Sequence, residues 1–152
     1  MVLGVQPNQG LLEREWNALS QMLTEKSLTL EIIPFPSKLD GMNSKKWKHD
    51  FVFVRDLYVS NQEGDVVIAR FREKERQGEV IIIEEWLMDQ DVKVHTLPND
   101  DNHFIEGGEF YYCSNENILF AGESRNSRKG NEKTAELLDV EDLIILRSNS
   151  FH

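Results

Sequence analysis

One order of elements occurs twice in this chain, and that repetition constrains its fold more than any single motif. The run Phe51-Val-Phe-Val54 reads as a strand, Asn61 to Gly64 as a turn and Asp65-Val-Val-Ile-Ala-Arg70 as a second strand. Gln77 to Asp89 contains a β-branched run, Val80 to Ile83, but its length favours a helix. Val92 to Leu97, stopped by Pro98, reads as a third strand. The order then returns. Glu109-Phe-Tyr-Tyr-Cys113 is strand-like, Ser114 to Glu116 turns, and Asn117-Ile-Leu-Phe-Ala121 is strand-like again. Gly130 to Asp139 reads as a helix and Asp142 to Arg147 as a strand. The copies lie about fifty residues apart, a spacing that marks an architecture of repeated supersecondary units. Few residues are identical between them, so the repeat is one of pattern.

The stretch before them fits the end of a further copy. Leu12, Trp16, Leu19 and Leu23 fall on one helical face over residues 11–25. Leu28 to Ile33 reads as a strand stopped by Pro34 and Pro36, and the polar residues 37–49 read as a loop. The expected fold class is therefore α/β, built of ββαβ units. The end of one unit covers residues 11–34, a second covers 50–98, a third covers 106–147, and a further one begins at 151–152.

Length and charge narrow the function. A chain of 152 residues has the size of one domain with a real core. The formal net charge of −10 argues against nucleic acid as the main partner, because phosphate contacts need clustered Lys and Arg. No apolar run is long enough to span a bilayer, and Met1 to Gly10 shows no secretion signal, so no membrane partner is expected. Cys113 is the single cysteine, which fits a reducing compartment and a cytoplasmic location. His49, His95 and His103 have no partners at metal-ligand spacing. No phosphate loop, dinucleotide fingerprint or nucleophile elbow is present. Neither a metal nor a cofactor is expected.

Each start of a unit carries a group with chemical potential. The first, "HDFVFVRD", carries Asp50 and Asp56; the second, "FIEGGEF", carries Glu106; the third, "SNSFH", carries His152. If the units surround a common axis, equivalent loops meet at one end. Carboxylates and a histidine then converge, a combination suited to acid–base work on a cationic group. Taken singly, each has a plainer reading: Asp50 and Asp56 as solvated strand ends, and Glu106 as part of a turn whose Gly107 and Gly108 are free to adopt positive φ. Arg76 and Arg125 precede helices and suit an anionic ligand group, although loop arginines also serve solubility. Cys113 closes an aromatic strand and reads as a structural thiol.

Together, "DFVFVRD" (50–56), "ARFREKERQGE" (69–79), "IEGGEF" (105–110), "AGESRNSRKG" (121–130) and "FH" (151–152) resemble the guanidine-modifying, or pentein, superfamily. That superfamily includes arginine deiminases, dimethylarginine dimethylaminohydrolases and amidinotransferases. The resemblance implies an α/β propeller of ββαβ units around a pseudo-fivefold axis, of which this chain carries the first two to three. It implies a small-molecule guanidino substrate, held by Asp56 and Glu106, with Asp50 and Phe53 lining the pocket. It implies Arg76 and Arg125 at the substrate's α-carboxylate, Glu106 orienting the histidine, and His152 as general acid and base. The implied chemistry is attack of a cysteine thiolate on the guanidinium carbon, followed by release of the amidino group to water or to an amine.

The sequence also departs from the family pattern. Leu57 stands where Pro often follows Arg-Asp, and Glu109 stands where Asp usually follows the two glycines. The loop around Arg125 is one residue shorter than the common pattern, which leaves Arg128 as the alternative clamp. The family's nucleophile belongs far downstream, and Cys113 lies in the wrong unit to replace it. The chain thus reads as part of a guanidino-group hydrolase or amidinotransferase, inactive alone. The alternative is a non-catalytic binding module of the same fold. Strand edges and apolar faces left open in a partial propeller imply a homo-oligomer.

Overall fold

The computed structural model of the chain describes residues 8–31, 33 and 53–147. The chain divides into two compact units, Met1–Phe35 and Pro36–His152. In the first unit, helix α1 spans Gln9–Glu25. Asn8 caps its start, its side-chain oxygen accepting the N–H of Leu11 at 3.1 Å. Leu12, Trp16 and Leu19 lie along one face of α1 and are exposed. The strand expected over Leu28–Ile33 does not form among the described residues of that stretch. Those residues join no ladder, and an extended run becomes a strand only where a partner takes its N–H and C=O groups.

The second unit holds two three-stranded sheets of the same construction. Strand β1 (Tyr58–Ser60) runs antiparallel to β2 (Asp65–Ile68), with Tyr58 opposite Ile68. Helix α2 (Val80–Leu87) crosses over to β3 (Lys93–His95), which lies parallel to β2. In the other sheet, β4 (Phe110–Cys113) is antiparallel to β5 (Ile118–Gly122). Helix α3 (Arg128–Leu137) then leads to β6 (Asp142–Leu146), parallel to β5. This is a mixed α/β fold. Parallel pairing requires the crossover that each helix supplies.

Local chemistry explains these elements. The β1–β2 turn is held by Asn61, whose side-chain oxygen accepts the N–H groups of Glu63 and Asp65, and Gly64 takes φ of +90° there. Asn117 and Asp139 take left-handed φ at the β4–β5 turn and after α3, positions that Asn and Asp tolerate. Helix α2 forms despite three successive isoleucines because Ile82, Ile83 and Leu87 share a buried face, while Ile81 stays exposed. Ser127 caps α3, accepting the N–H of Gly130 at 3.0 Å.

One expected strand lies elsewhere. Asp50 and Phe51 to Val52 fall outside the described residues, and Val54–Leu57 forms a 3₁₀ turn closed by the Asp56 N–H on the Phe53 carbonyl. Among the described residues the sheet begins at Tyr58. The alternation of Phe and Val imitates a strand, but Leu57 is fully buried and its carbonyl accepts the Ala69 N–H, which fixes the register one step later.

The two sheets are tied by backbone bonds. Arg70 and Ile105 exchange N–H···O=C bonds of 3.1 and 3.0 Å as an isolated antiparallel bridge. Asn61 donates from its side-chain amide to the Leu138 carbonyl at 3.2 Å. Phe71, Ile83, Ile105, Leu119 and Leu138 are among the buried side chains of the core.

Candidate guanidinium site

The site is assembled from equivalent positions in the two sheets. The 3₁₀ turn Val54–Leu57 leads into β1, and a second 3₁₀ turn, Gly107–Glu109, leads into β4. These turns pack on each other at van der Waals limits. A Cβ on Gly107 would strike the carbonyl oxygens of Tyr58 and Arg55, and one on Gly108 would strike the Asp56 carboxylate. Neither glycine has positive φ; among the described residues only Gly64 does, of the glycines. The glycine pair therefore serves close approach, not the turn conformation expected of it. Arg55 adds a further tie, donating from Nη2 to the Phe110 carbonyl at 2.8 Å.

Packing the turns together brings Asp56 and Glu106 to the same guanidinium, that of Arg76. Arg76 Nη1 lies 3.1 Å from Asp56 Oδ2 and 3.3 Å from Glu106 Oε2. Its Nε and Nη2 meet Glu79 Oε2 at 3.1 and 3.0 Å. The guanidinium carbon stands 4.1 Å from the centre of the Phe71 ring, in the range of a cation–π contact. Arg76, Glu79 and Glu106 are all buried. Burial disfavours the charge on Arg76, but the Glu79 and Asp56 hydrogen bonds outweigh it and hold the guanidinium above its ordinary value.

Glu106 also accepts from Arg125 Nη1 at 3.0 Å, and that arginine is mostly exposed. Burial pushes the Glu106 carboxyl above its ordinary value, while Arg125 and Arg76 pull it down. The Glu106 backbone is fixed from the other side. Its N–H donates to Asn126 Oδ1 at 2.7 Å, Asn126 Nδ2 donates to Asn131 Oδ1 at 2.9 Å, and Asn131 Nδ2 donates to the Gly122 carbonyl at 2.8 Å. Glu109 holds the loop that carries Arg125. Its carboxylate accepts the Ser124 hydroxyl and the N–H groups of Arg125 and Asn126, the latter two at 3.0 and 2.9 Å.

Of the residues singled out by sequence, Asp56, Arg76, Glu106 and Arg125 come together. Phe53 precedes the first turn and is exposed. Asp50 and His152 lie outside the described residues. Arg128 does not reach Glu106; its Nε bonds Glu123 at 3.2 Å. Cys113 is away from this cluster, with its thiol 2.7 Å from Glu116, and that carboxylate pushes the thiol above its ordinary value. A nucleophilic thiol needs the opposite environment. Glu79, Glu109 and Asn126 carry parts of the site that the sequence reading did not assign. The i, i+3 spacing of Arg76 and Glu79 was the available signal for one of them.

No protein family's sequence profile matches the chain, and no curated protein matches it. Solved structures do. The N-terminal domain of ArgZ bound to substrate, an arginine dihydrolase from the ornithine–ammonia cycle in Cyanobacteria, matches at 26% identity and a TM-score of 0.71, over 90% of this chain and 46% of that one. AgrE in a ternary complex with ornithine and NAD+ matches at 28% identity and a TM-score of 0.71, over 90% of this chain and 18% of that one. A dimethylarginine dimethylaminohydrolase adduct with 4-chloro-2-hydroxymethylpyridine shares the fold, at 20% identity and a TM-score of 0.72, over 95% of this chain and 54% of that one. The chain thus spans from under a fifth to about half of the length of these matched structures. In fold, as in the order of its motifs, the chain is similar to part of the guanidine-modifying, pentein superfamily.

Proposed function

We propose that this chain is part of an enzyme that hydrolyses or transfers the guanidino group of arginine or a methylated arginine. The observation that carries the reading is the sharing of one guanidinium by Asp56 and Glu106, at 3.1 and 3.3 Å, at the starts of the two repeated units. Two carboxylates placed to grip a planar cation are the elements of a guanidinium receptor. The similarity to an arginine dihydrolase captured with its substrate supports the same class. In this reading the two ββαβ units are blades of a pentein propeller, and the receptor faces its axis.

Asp56 and Glu106 hold the substrate guanidinium, with Asp50 and Phe53 at the pocket wall. Arg76 and Arg125 are the cationic clamps for the substrate's α-carboxylate. His152 moves the proton. A cysteine thiolate outside this chain attacks the guanidinium carbon, a C–S bond forms, and the C–N bond to the leaving amine breaks as His152 protonates that nitrogen. Water or an acceptor amine then displaces the thiolate. Cys113 takes no part, because its thiol faces a carboxylate.

Isothermal titration of the chain with arginine, dimethylarginine and guanidine tests the reading. Binding of the guanidino compounds, reduced by Asp56→Asn and by Glu106→Gln, is expected. The absence of binding by the folded chain overturns it. The lone, carboxylate-bound thiol favours a second reading, a non-catalytic module of the same fold. Ligand binding without any citrulline or ornithine production, even beside the remaining half of a matched enzyme, is what that reading expects. Self-association of the chain belongs to both readings, and light scattering at increasing concentration measures it.

A further inference from the structure

A cavity of about 220 Å³ opens where the chain leaves β2 and β3 beside helix α2. Ile68, Phe71, Val80 and Leu97 give it apolar walls, and none of Asp56, Arg76, Glu106 or Arg125 lines it. Pockets for drug-sized ligands begin at about 300 Å³, so an occupant of this one is a smaller molecule. Two oppositely charged side chains line the cavity, Glu84 and Arg70. Glu84 is half-buried on α2, and its carboxylate meets no hydrogen-bond donor and no cation among the described residues. A carboxylate partly withdrawn from water is best matched by a group that brings both charge and N–H donors. Arg70 is pinned from outside. Its Nη1 donates to the Asn99 side-chain oxygen at 2.6 Å and its Nη2 to the Asp100 carbonyl at 2.8 Å, and its guanidinium carbon stands 5.4 Å from the centre of the Phe104 ring. Its Nε is buried and has no hydrogen-bond partner among the described residues, a costly state for a donor. The cavity thus carries one unmet anion and one unmet cationic donor, and no ion pair joins them.

We propose that this cavity is a second ligand site, which takes a small aliphatic amino acid as its zwitterion. The ammonium pairs with Glu84, the carboxylate pairs with Arg70, and the side chain lies against the apolar walls at Val80 and Leu97. A ligand with one charge serves the cavity less well. An amine leaves the Arg70 donor unmet and faces its positive charge, and an acid faces Glu84. The inference does not depend on Asp56 and Glu106 being a guanidinium receptor.

The test uses the full chain and L-valine as the probe, with amide NMR reading where it lands. Saturable shifts at Gln77, Glu84 and Thr96, which line the cavity, are expected. Isobutylamine is valine without its carboxylate, and isovalerate is valine without its ammonium. Each is expected to bind at least about tenfold more weakly than valine, the loss of one charge-assisted contact. Glu84→Gln is expected to weaken valine by a similar factor and to leave isovalerate no weaker. Glu84 has no protein partner to lose, so this variant is expected to melt as wild type does. Thr96→Trp, which adds bulk at an exposed lining position, is expected to abolish valine binding. Four results overturn the proposal: no saturable shifts at these amides, shifts centred instead on Asp56 and Glu106, isobutylamine binding as tightly as valine, or wild-type valine affinity in either variant.

Discussion

The carboxylate of Glu109 accepts the backbone N–H of Arg125 at 3.0 Å. Glu109 also accepts from the Ser124 hydroxyl and the Asn126 N–H, so one side chain holds the whole turn before α3. This gives a structural meaning to an acid after the glycine pair: it organises the loop that delivers Arg125 to Glu106 and Asn126 to the Glu106 N–H. Glu109→Ala removes the acceptor for all three donors. Hydrogen bonds to a charged group are each worth about 1.5–3 kcal/mol, less where water can substitute. The expected loss is about 2 kcal/mol of stability in urea unfolding. Glu109→Asp, which keeps the charge but shortens the reach, is expected to lose less. Equal stability of wild type and Glu109→Ala would show that water replaces the carboxylate without cost.

The neighbouring glycines separate fold from site. A methyl group on Gly107 meets backbone oxygens of Arg55 and Tyr58, which cannot move without shifting β1. Overpacking of this kind costs about 1–3 kcal/mol or more, so Gly107→Ala is expected to lower the melting temperature clearly. A methyl group on Gly108 meets the Asp56 carboxylate, a side chain that can rotate. Gly108→Ala is therefore expected to cost less stability but to displace Asp56 from Arg76, weakening guanidine binding more than Gly107→Ala does per unit of stability lost. Thermal melts and titration calorimetry on the two variants measure both effects. The reverse ranking, with Gly108→Ala the less stable protein, would contradict the contacts described.

The same glycines show where sequence reading stops. Their presence was legible, and so was the carboxylate before them; their reason was not. A Gly pair suggests positive φ, and only packing between two turns distant in sequence reveals the close approach. The repeated strand–strand–helix–strand order was legible because short apolar runs are separated by turn residues and the helix of each repeat has a buried stripe, and β4, β5 and β6 form within one or two residues of their expected bounds. The start of β1 was not legible. Phe51-Val-Phe-Val54 alternates as a strand does, yet Leu57 and its bond to Ala69 set the register, and those are tertiary facts. In the site, Asp56 and Glu106 were legible as acids at unit starts, Arg76 and Arg125 as arginines ahead of helices, and all four through the family resemblance. That Glu79 would join them, and that Arg76 would be shared between acids rather than left open, depends on burial that no local pattern encodes.

Asn131 supports the site at a distance through a chain of three hydrogen bonds that ends on the Glu106 N–H. It is fully buried in α3. Asn131→Leu leaves the Gly122 carbonyl and the Asn126 amide facing an apolar group. An unsatisfied buried group costs about 1–3 kcal/mol, so a loss of about 2 kcal/mol or more is expected in chemical denaturation. Faster hydrogen exchange at the Glu106 amide is expected to accompany it, because Asn126 loses the partner that orients it. Unchanged exchange at that amide would show that the chain of bonds does not transmit the loss.

Asp65 provides a test by pH, remote from the site. It opens β2 and faces β3, accepting from His95 Nε2 at 2.6 Å and from Lys93 Nζ at 3.2 Å. The His95 hydrogen bond is the main reason that the Asp65 carboxyl is lowered from 3.8 to about 2, with Lys93 adding to it. A depressed native value means that the unfolded chain binds the proton first as pH falls. The contribution of Asp65 is therefore complete above the unfolded value of 3.8 and is lost as the pH falls toward 2. Comparison of wild type with Asp65→Asn in urea unfolding is expected to show a stability difference that shrinks as the pH falls through the acid range. In His95→Phe the largest cause of the depression is gone, and the Asp65 titration, followed by carboxyl-carbon NMR, is expected to move up toward its ordinary value. A titration still near 2 in His95→Phe would mean that Lys93 and Asn61 hold the carboxylate without the imidazole.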